Sequence, residues 1–281
     1  MRRFAARSVV VFVVCSLTGC SLLYSYRNID RYIRWWLDDY IAWDGFQESQ
    51  LRMRLALRLE WHKKTQLPRY RDWLETIDRS LNDDVDVAQL AQAADQLQSF
   101  WHETAAHSQT EIHAQLASLS DNQVRDLLTA IREKQAHLKN EYDDMTLAEL
   151  AKKRKREMTK TIKYWLGPLD DNQIALIHVW ALRLPDGRSH WLNNRERWAN
   201  AFAQALRHRH APELFAAEIH LLFVTPQENW EPELRQLSHQ NRESTLQLLT
   251  ELHNSRTQKQ RDFQHKRIEQ WLGRLERLAA D

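Results

Sequence analysis

Apolar residues recur every three or four positions from residue 29 almost to the end of the chain. Ile29, Tyr32, Ile33, Trp36, Leu37, Tyr40 and Ile41 share one helical face, while Asp30, Arg31, Arg34, Asp38 and Asp39 take the other. Leu51, Leu55, Leu59 and His62 continue the pattern, with Pro68 as the expected break. Helix starts are marked by capping boxes, in which a Ser, Thr or Asp is followed three residues later by Glu or Gln. Asp86/Gln89, Ser120/Gln123, Thr146/Glu149 and Asp170/Gln173 each carry flanking apolar staples, and Thr225/Glu228 has Pro226 at the first helical position. Gly167-Pro168, Pro185-Asp186-Gly187, Asn82-Asp83-Asp84, Pro212 and the stretch near Asn254-Ser255 mark stops. These signals predict roughly nine to eleven helices joined by short loops. The expected fold is all-α, an elongated multi-helix bundle or stacked helical hairpins with no sheet.

Composition narrows the picture in the same direction. Five glycines and six prolines in 281 residues are too few for the turns an all-β protein needs. Twelve tryptophans are many for this length. Trp36, Trp73, Trp101, Trp165, Trp180, Trp198 and Trp271 lie in apolar stripes and are expected to fill core. Trp35, Trp43, Trp191 and Trp230 are the better candidates for exposed contacts. Adjacent Trp35 and Trp36 diverge by about 100° on a helix and cannot face the same core.

The N-terminus has its own grammar. Arg2, Arg3 and Arg7 precede the apolar run Val9 to Val14, and Leu17-Thr18-Gly19-Cys20 follows it. A charged start, a short apolar stretch and small residues before a cleavage point make a secretory signal peptide. The run is shorter than the roughly 20 residues of a membrane-spanning helix. Leu17 to Cys20 resembles the lipobox of bacterial lipoproteins, which implies cleavage before Cys20, diacylglycerol on its thiol and an acyl group on its new amine. Ser21 stands where an Asp would signal inner-membrane retention, so the resemblance implies the inner leaflet of an outer membrane, facing the periplasm. The expected division is a signal peptide over 1–19, a lipidated tether over 20–28 and a helical periplasmic domain over 29–281, with a sub-boundary near 167–171. Removing residues 1–19 leaves 262 residues and takes the net charge from +2 to −1, since that segment holds three arginines and no acid. No basic excess remains to argue for nucleic acid. With Cys15 in the signal and Cys20 acylated, no free thiol is left in an oxidising compartment. The tether from Cys20 to Ile29 reaches about 30 Å at most. The segment from Tyr24 to Trp43 is therefore expected at or near the headgroup layer, with Tyr24, Tyr26, Trp35 and Trp43 as membrane-proximal aromatics.

Candidate chemistry is sparse. His102 to His107 nearly spells a zinc-protease motif, but ligands five apart on a helix diverge by about 140°. His208 and His210 sit at a helix end, where interaction with the helix dipole is the simpler role. No metal site and no cofactor beyond the Cys20 lipid is expected. Glu48-Ser49 and Glu243-Ser244 resemble the Glu-Ser pair of helical lytic transglycosylases, yet the glycine-rich segment of that family is missing. No catalytic residues are assigned. Lys152, Lys153, Lys155 and Arg156, with Lys160 and Lys163 beyond, form the densest basic run; they make a candidate contact for anionic lipid phosphates. Leu119-Ser120-Asp121-Asn122-Gln123 and Leu169-Asp170-Asp171-Asn172-Gln173 are nearly identical and lie 50 residues apart. They are similar to the paired LTxxQ motifs of small periplasmic stress chaperones, although a stapled capping box accounts for every residue in them. Taken whole, the lipobox and the aromatic opening from Tyr24 to Trp43 resemble an uncharacterised family of Gram-negative lipoproteins with no activity to carry over. The expectation is a non-enzymatic protein anchored to the membrane by lipid, working through contacts with unidentified envelope proteins as a chaperone or assembly scaffold. The alternative is a cell-wall glycan binder or a peptidoglycan-cleaving enzyme.

Overall fold

The structure is a computed structural model that describes residues 26–80 and 82–280. Cys20 and Tyr24 lie outside the described residues. The described chain forms an all-α bundle of ten α-helices with no strand among them: α1 (Ile29–Asp38), α2 (Gly45–Ser80), α3 (Val87–Ala117), α4 (Asp121–Asp143), α5 (Leu147–Leu166), α6 (Asp171–Arg183), α7 (Arg188–Arg207), α8 (Pro212–Phe223), α9 (Pro232–Asn254) and α10 (Gln258–Ala280). A single 3₁₀ turn (Pro226–Asn229) joins α8 to α9.

Helix α2 is the spine. Its 36 residues extend about 54 Å at 1.5 Å per residue. Helix α3 returns beside it, held by the Arg58–Glu111 and Arg69–Glu103 ion pairs and by Arg54 donating to Gln115 at 2.8 Å. The last helix closes the molecule: Asp78 meets His265 and Arg71 faces Glu276, so α10 runs antiparallel along the second half of α2. Their interface buries Leu67, Leu74, Ile268, Trp271, Leu275 and Leu278. A second core joins α4, α7 and α8 through Leu127, Phe202, Leu206, Phe215 and Ile219. The third, Ile162, Leu166, Ile177, Leu248 and Leu252, spans α5, α6 and α9. Helices on both sides of residues 167–171 therefore share one core.

Two reciprocal glutamine pairs set where four helices begin. Gln47 and Gln123 are each the third residue of a helix, and each amide oxygen accepts from the backbone N–H of its own cap, Asp44 or Ser120. The two amides also donate to each other, Gln47 Nε2 to Gln123 Oε1 at 3.1 Å and the reverse at 2.7 Å. The remaining N–H of each reaches the carbonyl two residues ahead of the other's cap: Gln47 to Ser118 and Gln123 to Ala42. The same arrangement recurs where α6 and α10 begin. Gln173 and Gln260 accept from Asp170 and Thr257, donate to each other at 3.1 and 2.8 Å, and reach Ser255 and Pro168. The duplicated Asn-Gln stretches thus mark equivalent halves of two like junctions.

Some expectations are corrected. Helix α2 runs through Pro68, because Leu67 and Leu74 on either side are buried against α10 and the Arg69–Glu103 pair holds the next residue. Packing here outweighs the roughly 3 kcal/mol a helical proline costs. The Thr225/Glu228 box does not form; Thr225 makes no side-chain cap and only a 3₁₀ turn follows. The turn ends at Asn229 because Trp230 and Glu231 are both extended (ψ 145° and 150°), the second of them as expected before Pro232. The stop at Gly167 is stronger than its sequence alone implies. Its φ of 78° is the left-handed side that disfavours any Cβ, and a Cβ there would also meet the Phe263 ring at 3.2 Å.

Because Gln173 is fully buried with every donor and acceptor used, Gln173→Ala is expected to destabilise the protein by about 2–4 kcal/mol. Gln173→Ala with Gln260→Ala should cost less than the sum of the two single changes, by about 1–2 kcal/mol, in denaturant unfolding. Additive losses would show that the pair does not act as a unit.

Candidate functional site

The N-terminal end of the described chain is tied down by a small half-buried network. The Tyr26 hydroxyl lies 2.8 Å from His62 Nδ1, and His62 Nε2 lies 3.1 Å from the Tyr70 hydroxyl. Tyr26 also packs on the core between α2 and α10, and Tyr70 stacks obliquely on Phe100. Burial alone pushes the His62 imidazole down to about 4, and burial is also the main cause that raises both tyrosines. His62 is therefore neutral, and one ring nitrogen donates while the other accepts. The network has the form of a latch. Tyr26, expected at the membrane, is a structural contact.

Helix α1 follows the latch and lies on the outside of the molecule. Arg34 pairs with Asp30 and with Glu48 of α2, and Asp39 pairs with Lys134 of α4, whose ammonium also sits 3.7 Å from the Tyr40 ring centre. Ile33 and Leu37 are half-buried, and no residue of α1 is buried. Facing outward are Tyr32, Trp35 and Trp36, at 50 %, 58 % and 54 % exposure. Trp35 is exposed as expected, whereas Trp36, expected in the core, is not in it. Its stripe is apolar, but α1 has only α2 beneath one edge. Trp43 errs the other way: it packs against the core of α4, α7 and α8. Trp101 is 38 % exposed, and Trp191 lies against Tyr142 and Arg195.

The basic run on α5 divides by role. Lys153 is drawn in, paired with Glu141 at 3.2 Å and set over the Tyr142 ring at 4.6 Å. Arg154 donates to the carbonyls of Leu184 and Pro185, closing the end of α6. Lys155 is half-exposed, and Arg156 contacts its neighbour Glu157. Lys152, Arg156, Lys160 and Lys163 are exposed and follow the i, i+4, i+8, i+11 spacing of one helix face. The cationic row is thus narrower in the run and longer along the helix than its sequence clustering suggests.

An open, shallow depression of about 610 Å³ lies over the first glutamine junction. Trp43, Gln47, Leu119, Asp121, Gln123, Arg209 and His210 line it. Arg209 is engaged within it: it donates to the carbonyls of Leu119 and Leu206 and pairs with Asp121. Sequence reasoning missed this junction because the Asp44/Gln47 and Thr257/Gln260 boxes lack apolar staples; their Asp/Thr-x-x-Gln spacing was the available signal.

The remaining candidates are dispersed. His107 stacks on Trp61 with ring centres 3.8 Å apart, and Glu103 is held by Arg69. His208 pairs with Glu218 at 2.9 Å, so Arg209 takes the capping role expected of His208. Glu48 is held below the usual carboxylate range by its hydrogen bond with Arg52, and Glu243 of α9 faces His239. Among the described residues no three His, Cys, Asp or Glu side chains converge on a metal-sized site, and no helix is long and apolar enough to cross a membrane.

The chain matches the model of a family of unknown function (DUF6279) over residues 39–235. That is well over half of its length. The chain belongs to DUF6279. The matched region of this DUF6279 member begins at the end of α1 and reaches the first turn of α9, so it includes the first glutamine junction but only the Gln173 half of the second. No curated protein and no solved structure matches the chain. The likeness to LTxxQ chaperones therefore rests on the two boxes alone.

Two outcomes follow from the latch and the basic run. His62 titrates lower folded than unfolded, so its contribution to stability is complete above about pH 6.5 and is lost as pH falls toward 4. Unfolding free energy measured at pH 7.5 and 4.5 is expected to fall by about 2 kcal/mol more in the native chain than in His62→Asn. Equal pH slopes would refute the assignment. Lys153→Ala should cost about 1 kcal/mol in the same assay, and Lys152→Ala should stay within about 0.5 kcal/mol.

Proposed function

We propose that this DUF6279 member is a lipid-anchored periplasmic protein that acts by binding other proteins of the cell envelope, as a chaperone or assembly scaffold, and not by catalysis. In this reading Cys20 carries the lipid and holds the chain at the inner leaflet of an outer membrane. The observation that carries the reading is a row of large apolar side chains on the outside of α2. Phe46, Met53 and Leu57, at 73 %, 50 % and 65 % exposure, follow i, i+7, i+11 spacing and so line up over three turns. An uncovered apolar row of this kind is the surface that protein partners use. The charged side chains beside it, Arg54, Arg58 and Glu48, are already engaged within the fold.

The purified chain is expected to suppress aggregation of an unfolded client near equimolar ratio and to leave peptidoglycan intact. Met53→Glu with Leu57→Glu should reduce the suppression several-fold without changing helix content. Release of soluble glycan fragments from purified cell wall would overturn the proposal in favour of a cell-wall enzyme. Unchanged client protection by the double variant would remove the α2 row from it.

A further inference from the structure

We infer that the outer face of α1 is a membrane-interface surface, on which Tyr32, Trp35 and Trp36 rest in the phospholipid headgroup layer. The inference rests on the anchoring through Cys20 proposed above and adds the surface and orientation that this anchoring imposes.

The latch carries the argument. Tyr26 is fixed to His62 and to the core between α2 and α10, and only six residues of chain separate it from Cys20. Six residues reach about 20 Å when fully extended, which is shorter than the tether the sequence alone implies. An acyl chain seated in the bilayer therefore holds Tyr26 close to the surface, and α1 starts three residues later. Arg34, steadied within α1 by Asp30, pairs with Glu48 of α2, and Asp39 just past the end of α1 pairs with Lys134 of α4, so both ends of the contact orient α1 on the body of the protein. The face left outward is aromatic. Tryptophan and tyrosine are the side chains that settle at the boundary of water and lipid, because a large apolar ring and one N–H or O–H suit that layer. Among the described residues, the adjacent Trp35 and Trp36 are both more than half exposed to water. Arg31 on the same outward side adds a cation suited to phosphate headgroups. Of the aromatics expected at the membrane, Trp35 remains, Tyr26 and Trp43 are withdrawn into the fold, and Trp36 and Tyr32 take their place.

The test uses the acylated full-length protein, purified from membranes and placed in phosphatidylethanolamine/phosphatidylglycerol vesicles that contain a dibrominated acyl chain. Tryptophan fluorescence is expected to be quenched relative to unbrominated vesicles. Trp35→Phe with Trp36→Phe should remove at least half of that quenching with helix content unchanged, since both rings lie outside the core. Quenching undiminished in the double variant overturns the inference, as does absence of quenching in a protein whose Cys20 acylation is confirmed by mass spectrometry; neither result touches the anchoring itself. An unacylated Cys20 overturns both readings together.

Discussion

The reciprocal glutamine pair is the constraint on which this bundle depends. A side-chain amide buried at a helix start is costly unless both its donors and its acceptor are used. Here each of Gln47, Gln123, Gln173 and Gln260 caps its own helix, binds its partner and reaches the chain leading into the partner's helix. No member can shift by a turn without leaving several polar groups unpaired. The pair therefore sets the register between helices far apart in sequence, α2 with α4 and α6 with α10. Apolar packing alone would tolerate sliding; directional hydrogen bonds do not.

The rest of the architecture hangs between these two junctions. Helix α2 starts at the first and ends near the second, where His253 and Asn254 at the end of α9 bond to Asp83 and Val85. Helix α10 starts at the second junction and packs back along α2. One end of the molecule thus opens the chain and the other turns it home. The Tyr26–His62–Tyr70 latch lies on this spine, so the start of the described chain is tied to the interface of α2 and α10. In the lipid-anchored form proposed above, a tether that ends on this contact turns an anchor into an orientation for the aromatic face of α1.

Much of the secondary structure was legible because capping chemistry is local. Asp86, Ser120, Thr146 and Asp170 each bond the N–H three residues on, and Gly167 and Pro185 stop helices where their backbone preferences demand. The boxes at Asp44 and Thr257 were hidden because their flanks are Trp43 with Glu48 and Arg256 with Arg261, so no apolar staple flagged them. Thr225 misled for the opposite reason: its local signal was good, but the backbone turns extended at Trp230 before a helix could grow. Pro68 misled because burial of Leu67 and Leu74 against α10 lies outside the reach of any local rule.

The candidate surfaces divide along the same line. The amino-acid sequence by itself determined that the chain is helical, where most helices begin and end, that it opens with a lipobox-like segment and that tryptophan is abundant. Each of these is decided by a few neighbouring residues. Only the tertiary structure decided which tryptophans are covered, that Tyr26 is a latch, that Lys153 is spent on Glu141 and Tyr142, and that the repeated glutamines pair with Gln47 and Gln260. Those outcomes depend on which helix lies beside which. Helical periodicity states that a face is apolar; it does not state whether another element arrives to cover it.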